Sequence, residues 1–140
     1  MATRSRIAIE KEDGKVESIY AHWDGYPEGN GAKLFEHYKD REKVQSLIDL
    51  GSISSLHPIV EAPEGHSFEN PAKDVVVAYG RDRGEKNVGK KYHDSKEDFF
   101  NSDIEEWGYL LTKEGDWEVK SSYGETKGVE KLEEVLSKLV

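Results

Sequence analysis

The chain has 140 residues and carries 29 acidic against 20 basic side chains, a formal net charge of −9. No run approaches the roughly 18–20 apolar residues of a membrane span, and no long apolar stretch follows Arg4 and Arg6, so neither a spanning segment nor a secretory signal is expected. Cysteine is absent, which excludes disulfides, thiolate nucleophiles and cysteine-ligated metals.

The length suits one domain, residues 1–140, and the cytoplasm is the default location. Three Trp, seven Tyr and four Phe supply enough core to argue against disorder despite the charge. Ile7 and Ile9 fall on one face of a short first strand. Residues 12–15, with Gly14, read as a hairpin turn. Val16 to Trp23 is the returning strand, with Ile19, Ala21 and Trp23 on one face and Tyr20 and His22 on the other. Three Gly and one Pro within residues 24–31 require a loop. Helices are expected over 32–38, with Leu34, Phe35 and Tyr38 inward, and over 41–50, capped by Asp40 and ended by Gly51.

Residues 52–72 are irregular, anchored by Ile53, Leu56, Ile59 and Val60, with a short strand expected at Pro58–Glu61. The apolar run Val75–Tyr79 predicts a central strand buried on both faces, emptying into a polar loop at 80–85. A helical turn over 94–101 should pack Phe99 and Phe100 inward. Strands follow at Trp107–Thr112 and Trp117–Tyr123, around a turn at 113–116. Val129, Leu132, Val135, Leu136 and Leu139 recur at helical spacing and predict a final helix. The sum is an α+β single domain, with a mostly antiparallel sheet of about five strands and about three helices packed on one face. The turns at 10–15 and 112–117 share an outline, a weak sign of repetition because charged hairpin turns converge easily.

The charge is uneven. Residues 1–60 carry a net −2 and residues 61–140 a net −7. A locally basic block at 81–91 adjoins six acids within 94–106, and the two are expected to neutralise each other, Arg81 and Arg83 pairing with those acids. Net negative charge disfavours nonspecific nucleic-acid binding and suits a cationic protein partner. It also permits imitation of a nucleic acid, although many proteins are this acidic simply to stay soluble.

The segment least like plain scaffold is His22-Trp23-Asp24-Gly25-Tyr26-Pro27-Glu28-Gly29. In an extended backbone His22 and Asp24 leave the same face. As a catalytic pair, Asp24 would orient the His22 imidazole for general-base work. As hard metal ligands they would need a third from Glu28, His37, His93 or Asp82, at a spacing that matches no metal motif. Trp23, Tyr26 and Glu28 are candidate binding residues, joined by Arg81, Asp82 and Arg83, whose guanidinium groups suit bidentate anion contact. The competing reading makes the segment scaffold: Trp23 core, His22 an edge residue, Asp24 a turn former. The glycine-rich loop lacks the lysine and hydroxyl of a phosphate-binding loop, and its own acids oppose an anion. His57 and His66 lie in the irregular stretch, and nothing beside them specifies a triad.

The opening Ala2-Thr3-Arg4-Ser5-Arg6-Ile7-Ala8-Ile9-Glu10, the segment His22–Gly29 and Tyr79-Gly80-Arg81-Asp82-Arg83-Gly84-Glu85 together resemble a family of small tailed-bacteriophage and prophage proteins to which no activity is assigned. The resemblance implies a protein made in the host cytoplasm during infection, of a kind that binds host machinery or blunts host defence. Three functions are then open. The leading expectation is an accessory protein that binds a host macromolecule, a protein, through the 22–29 and 80–86 loops, with Tyr26 and Arg83 as anchors. The second is a small binder or hydrolase of a nucleotide or phosphometabolite, built from His22, Asp24, Arg81 and Arg83. The third is a virion or assembly component. No cofactor, membrane or direct nucleic-acid partner is expected.

Overall fold

The computed structural model describes residues 2–139. Strand β1 (Ser5–Glu10) turns back into β2 (Val16–Ala21) as the hydrophobic alternation requires, in register from Ser5 opposite Ala21 to Glu10 opposite Val16. A wide turn of π type, Pro27–Gly31, runs into α1 (Ala32–His37), and α2 (Arg41–Asp49) follows. The Asp40 carboxylate accepts from the Glu42 backbone N–H at 3.0 Å, and Gly51 closes the helix with φ of 78°. Next come β3 (Ile53–Ser55), β4 (Val77–Ala78), α3 (Tyr79–Arg83), β5 (Lys91–His93) and α4 (Lys96–Asp98). A second wide turn, Phe99–Asp103, leads to β6 (Trp107–Leu111), β7 (Trp117–Ser121), β8 (Glu130–Lys131) and α5 (Leu132–Ser137).

The sheet has eight strands in the order β4-β3-β2-β1-β6-β7-β8, and β5 pairs with the far end of β2 through Val16–Ser18. It is mixed. β1 and β6 are parallel, from Ser5 opposite Trp107 to Ile9 opposite Leu111, and β2 and β3 are parallel at Ala21 and Ile53. The remaining pairs are antiparallel. The expected five-stranded, mostly antiparallel sheet with three helices on one face is therefore incorrect: eight strands and five helices are present among the described residues. Strands of two or three residues carry no readable period, because tertiary pairing rather than local pattern creates them. The parallel β1–β6 pairing joins segments 102 residues apart, Ser5 opposite Trp107, and leaves no local trace.

Both faces of the sheet are covered. On one face Ile7, Ile9, Ile19, Tyr109 and Val119 meet Leu34, Tyr38, Val44, Leu47, Ile48 and Leu132 from α1, α2 and α5. On the other, Ala8, Val16 and Leu110 pack under Phe99 and Phe100. The two phenylalanines do point inward, but onto the face opposite the helices. Gly108 belongs to this side, and a β carbon there would run into the Ile104 side chain.

Three further expectations change. Val75–Tyr79 is not the central strand: only Val77–Ala78 pair in the sheet, at its edge, while Val75 bridges Ile59. Its apolar run is buried by packing, and β1 takes the centre. The supposed polar loop after it is α3. The last helix is confined to 132–137, with Val129 exposed ahead of it.

Burying a Phe side chain contributes about 1.5–3 kcal/mol, and truncation adds the cost of a cavity. Phe99→Ala is expected to lower the unfolding free energy by about 3–5 kcal/mol in a urea titration, as much as truncating a core residue on the helical side such as Leu47 of α2. A loss below about 1 kcal/mol would mean that this second layer contributes little to stability.

Candidate functional site

The loop that leaves β2 is tied down at several points. Gly25 N–H donates to the Thr3 carbonyl at 2.7 Å, and a β carbon on Gly25 would stand 2.7 Å from that same oxygen. The Tyr109 hydroxyl donates to the Gly25 carbonyl at 2.7 Å from the floor of the sheet, and burial pushes that phenol well above its ordinary pKa. Asn30 is fully buried; its side-chain N–H groups reach the Trp23 carbonyl at 3.0 Å and Ser5 Oγ at 3.3 Å, and its backbone N–H reaches the Asp24 carbonyl at 2.7 Å. Asp24 takes a left-handed conformation, φ 60°, which Asp tolerates better than most residues.

That turn ends the strand alternation, so His22 and Asp24 are separated in partnership. His22 Nδ1 is 2.7 Å from the Tyr20 hydroxyl, and Asp24 accepts from the Tyr26 hydroxyl at 3.2 Å. No hydrogen bond joins the two among the described residues. Trp23 is 44% exposed, edge-on to the His22 ring, and not core.

The arginine loop divides. Arg81 donates to the Val60 carbonyl at 2.5 Å, the Val76 carbonyl at 2.7 Å and both oxygens of Asp82. The Asp82 side chain, 2% exposed, also accepts from the Ala78 N–H and from His66 Nε2. These bonds hold its carboxyl below the usual range even though burial opposes ionisation. Arg81 and Asp82 are thus internal ties for the 58–78 loop. Arg83 pairs with Glu85 at 3.5 Å and lies over the rings of Phe68 and Tyr79. Among the described residues the expected pairing of these arginines with the acids at 94–106 does not occur, and the pair linking the two charge blocks is Lys91–Asp103 at 3.3 Å.

A chain of polar groups that the sequence reading did not assemble crosses the second face. Arg6 Nε donates to Ser18 Oγ at 3.0 Å, Ser18 Oγ is 2.7 Å from His93 Nε2, and His93 Nδ1 is 2.8 Å from Asp103. An ionised Asp103 can only accept, so Nδ1 carries the proton and Nε2 accepts from the serine hydroxyl. The connectivity is that of a serine–histidine–aspartate triad. Yet Ser18 is fully buried, and Arg6 already donates to its oxygen, so no substrate reaches it. The chain is a tie that fixes β5 and the Phe99–Asp103 turn to β1 and β2. Its only sequence trace was His93, considered above as a spare metal ligand.

The open site lies at the sheet end where β1 and β6 begin and β7 finishes. A cleft of about 610 Å³ is walled by Tyr26, Trp107, Tyr123 and Val135 and edged by Glu28, Glu106, Glu125 and Glu130. Tyr123 is 73% exposed. Glu130 accepts from the Lys127 N–H at 2.8 Å, which holds it below its ordinary pKa, and is 3.5 Å from Lys138. Glu106 accepts from the Arg4 N–H at 2.8 Å. No ion pair engages Glu28 or Glu125 among the described residues. Of the residues singled out from sequence, Tyr26 and Glu28 line this cleft, while His22, Asp24, Arg81, Asp82 and Arg83 do not. Tyr123, Glu125 and Glu130 were missed, since a Tyr-Gly-Glu after a strand looks like any turn.

Among the described residues, no group of three or more His, Asp or Glu is placed to hold a metal ion, and no helix is long and apolar enough to cross a membrane. Comparison with known proteins finds no matching family model, no matching curated protein and no matching solved structure.

Burial holds His93 below the ordinary histidine pKa, against the opposing pull of Asp103, with Arg6 and Lys91 adding to the lowering. Burial and Lys33 do the same to His57. The unfolded chain therefore binds protons first as pH falls, so this contribution to stability is complete above about pH 6.5 and declines below it. Thermal melts from pH 7.5 to 5 are expected to show a falling Tm. The double variant His57→Gln/His93→Gln should start lower but run flatter; an unchanged slope would assign the acid sensitivity to other groups.

Proposed function

We propose that this protein works by binding a macromolecular partner, a protein presenting cationic side chains, at the cleft beside Tyr26 and Tyr123. The observation that carries the reading is the cleft itself, where the exposed Tyr26 and Tyr123 rings meet Glu28 and Glu125, carboxylates that no ion pair engages among the described residues. Aromatic faces and carboxylates both attract Lys and Arg side chains. Tyr and Trp are also the residues that most often anchor protein interfaces. The setting we propose is phage infection, with a bacterial host protein as the partner, as the family resemblance implies. The groups that would serve a phosphometabolite enzyme find separate partners: Arg81 is committed to two loop carbonyls and Asp82, Arg83 to Glu85, His22 to Tyr20 and Asp24 to Tyr26.

The test is affinity capture from bacterial lysate with the tagged protein, read by mass spectrometry at low and moderate salt. The expected result is one bacterial protein held by the native chain, released by salt, and reduced about tenfold or more for Tyr26→Ala/Glu28→Gln. Arg83→Ala, a change outside the cleft, should retain it. Circular dichroism would establish that each variant is folded. Capture of nothing beyond the tag control, or equal capture by the cleft variant, would overturn the proposal.

A further inference from the structure

The cleft does not end at Tyr26. A second depression, about 540 Å³, shares Glu28 and Leu139 with it and runs between α1 and α5. Its lining has a regular source. From α1 come Ala32, Phe35 and Glu36, and from α5 Glu133, Leu136 and Ser137, in each case positions i, i+3 and i+4. Residues at that spacing form one ridge of a helix, and the furrow between two such ridges is where a third helix packs. Phe35 and Leu136 are half-buried on the main core, and Leu139 is 48% exposed.

The charge lining this groove is predominantly negative. Glu28, Glu36 and Glu133 edge the helical part and Glu106, Glu125 and Glu130 the cleft part; the one cation in the lining, Lys138, is already beside Glu130. Lys39 Nζ lies 5.0 Å from the Phe35 ring centroid at one end of the furrow, but the lining itself carries six glutamates against one lysine. An apolar floor with predominantly acidic shoulders is complementary to a helix carrying an apolar stripe flanked by Lys and Arg. Such a helix would bury its i, i+3/i+4 and i+7 residues in the furrow while its cations meet the glutamates.

We propose that the combined groove over α1, α5 and Tyr26 is a docking site for a basic amphipathic helix of a protein partner. The inference rests on the binding function proposed above and adds the chemistry of the bound segment.

The test uses fluorescence anisotropy with three labelled 14-residue peptides and the full-length protein. One is a Lys/Leu helix with apolar residues at i, i+3, i+4 and i+7. The second is a scramble of the same composition, and the third replaces each Lys by Glu. The expected result is saturable binding of the first, at least tenfold weaker binding of the scramble and none of the Glu peptide. The surface variant Glu36→Lys/Glu133→Lys should weaken the first peptide at least tenfold, and Leu139→Ser severalfold, with melting curves confirming the fold. Equal binding of the first peptide and its scramble would overturn the proposal, since it would reduce the effect to net charge. No binding of any peptide, or full binding by Glu36→Lys/Glu133→Lys, would overturn it too. If the captured bacterial protein is lost from Tyr26→Ala/Glu28→Gln but kept by Glu36→Lys/Glu133→Lys, the binding function stands and the helix groove falls. If the native chain captures nothing, the underlying function itself fails.

Discussion

The parallel pairing of β1 with β6 is the constraint on which the rest of the molecule depends. Parallel neighbours cannot be joined by a tight turn, so the chain between β1 and β6, residues 11–106, must build one flank of the sheet as β2 to β5 and then cross back to the other side of β1. Everything that covers the sheet is carried on that excursion except α5. The pairing also decides which ends meet. β1 and β6 start at the same end, and their hairpin partners β2 and β7 finish there. The loops after β2 and β7 are therefore neighbours although about a hundred residues separate them. One brings Tyr26 and Glu28, the other Tyr123 and Glu125, and the cleft is the space between. The two tight turns, with matching 2.8–2.9 Å bonds at Lys11–Lys15 and Thr112–Asp116, are left at the opposite end.

That origin explains what could be read from the sequence. The β1–β2 hairpin, the Asp40 cap, the Gly51 stop and the inward Phe pair are local, set by alternation, side-chain chemistry or backbone freedom within a few residues. They were legible. The cleft was half legible: the density of aromatic and acidic residues at 22–29 marked Tyr26 and Glu28, while their partners across the sheet end had no marker. The central placement of Val75–Tyr79 failed for a related reason. A continuous apolar run signals burial on all sides, but packing under a loop buries a segment as well as a sheet does. Short β5 and β8 were invisible because two or three residues have no period.

The two internal polar clusters share a physical logic. Arg81, Asp82 and His66 form one internal cluster; Arg6, Ser18, His93 and Asp103 form another. Both contain the residue types that catalysis uses, and in sequence these cannot be told from a site. A buried polar group left without a partner costs about 1–3 kcal/mol, so a small domain with irregular covering segments needs such clusters to satisfy their backbone. Arg81 does this directly, capping two loop carbonyls. The decisive distinction is whether the hydrogen-bonding capacity is already consumed. In the two clusters it is; at the cleft, Glu28 and Glu125 retain theirs.

The division of labour within the groove follows from magnitudes. An exposed carboxylate–ammonium contact contributes at most about 1 kcal/mol and weakens with salt. Each glutamate alone therefore does little to hold a bound segment, though reversing two of them replaces attraction by repulsion, and their common sign accelerates encounter and rejects acidic chains. Retention must come from apolar area. Burying Leu-sized side chains contributes about 1.5–3 kcal/mol each, and the floor offers Phe35, Val135, Leu136 and Leu139 beside the Tyr26 and Tyr123 rings. Removing a glutamate should therefore act chiefly on the rate of association, and removing a floor residue on the rate of release. The net charge of −9 in this picture is more than a solubility device, because part of it is aligned along a surface where Tyr26, Tyr123 and Leu139 remain uncovered.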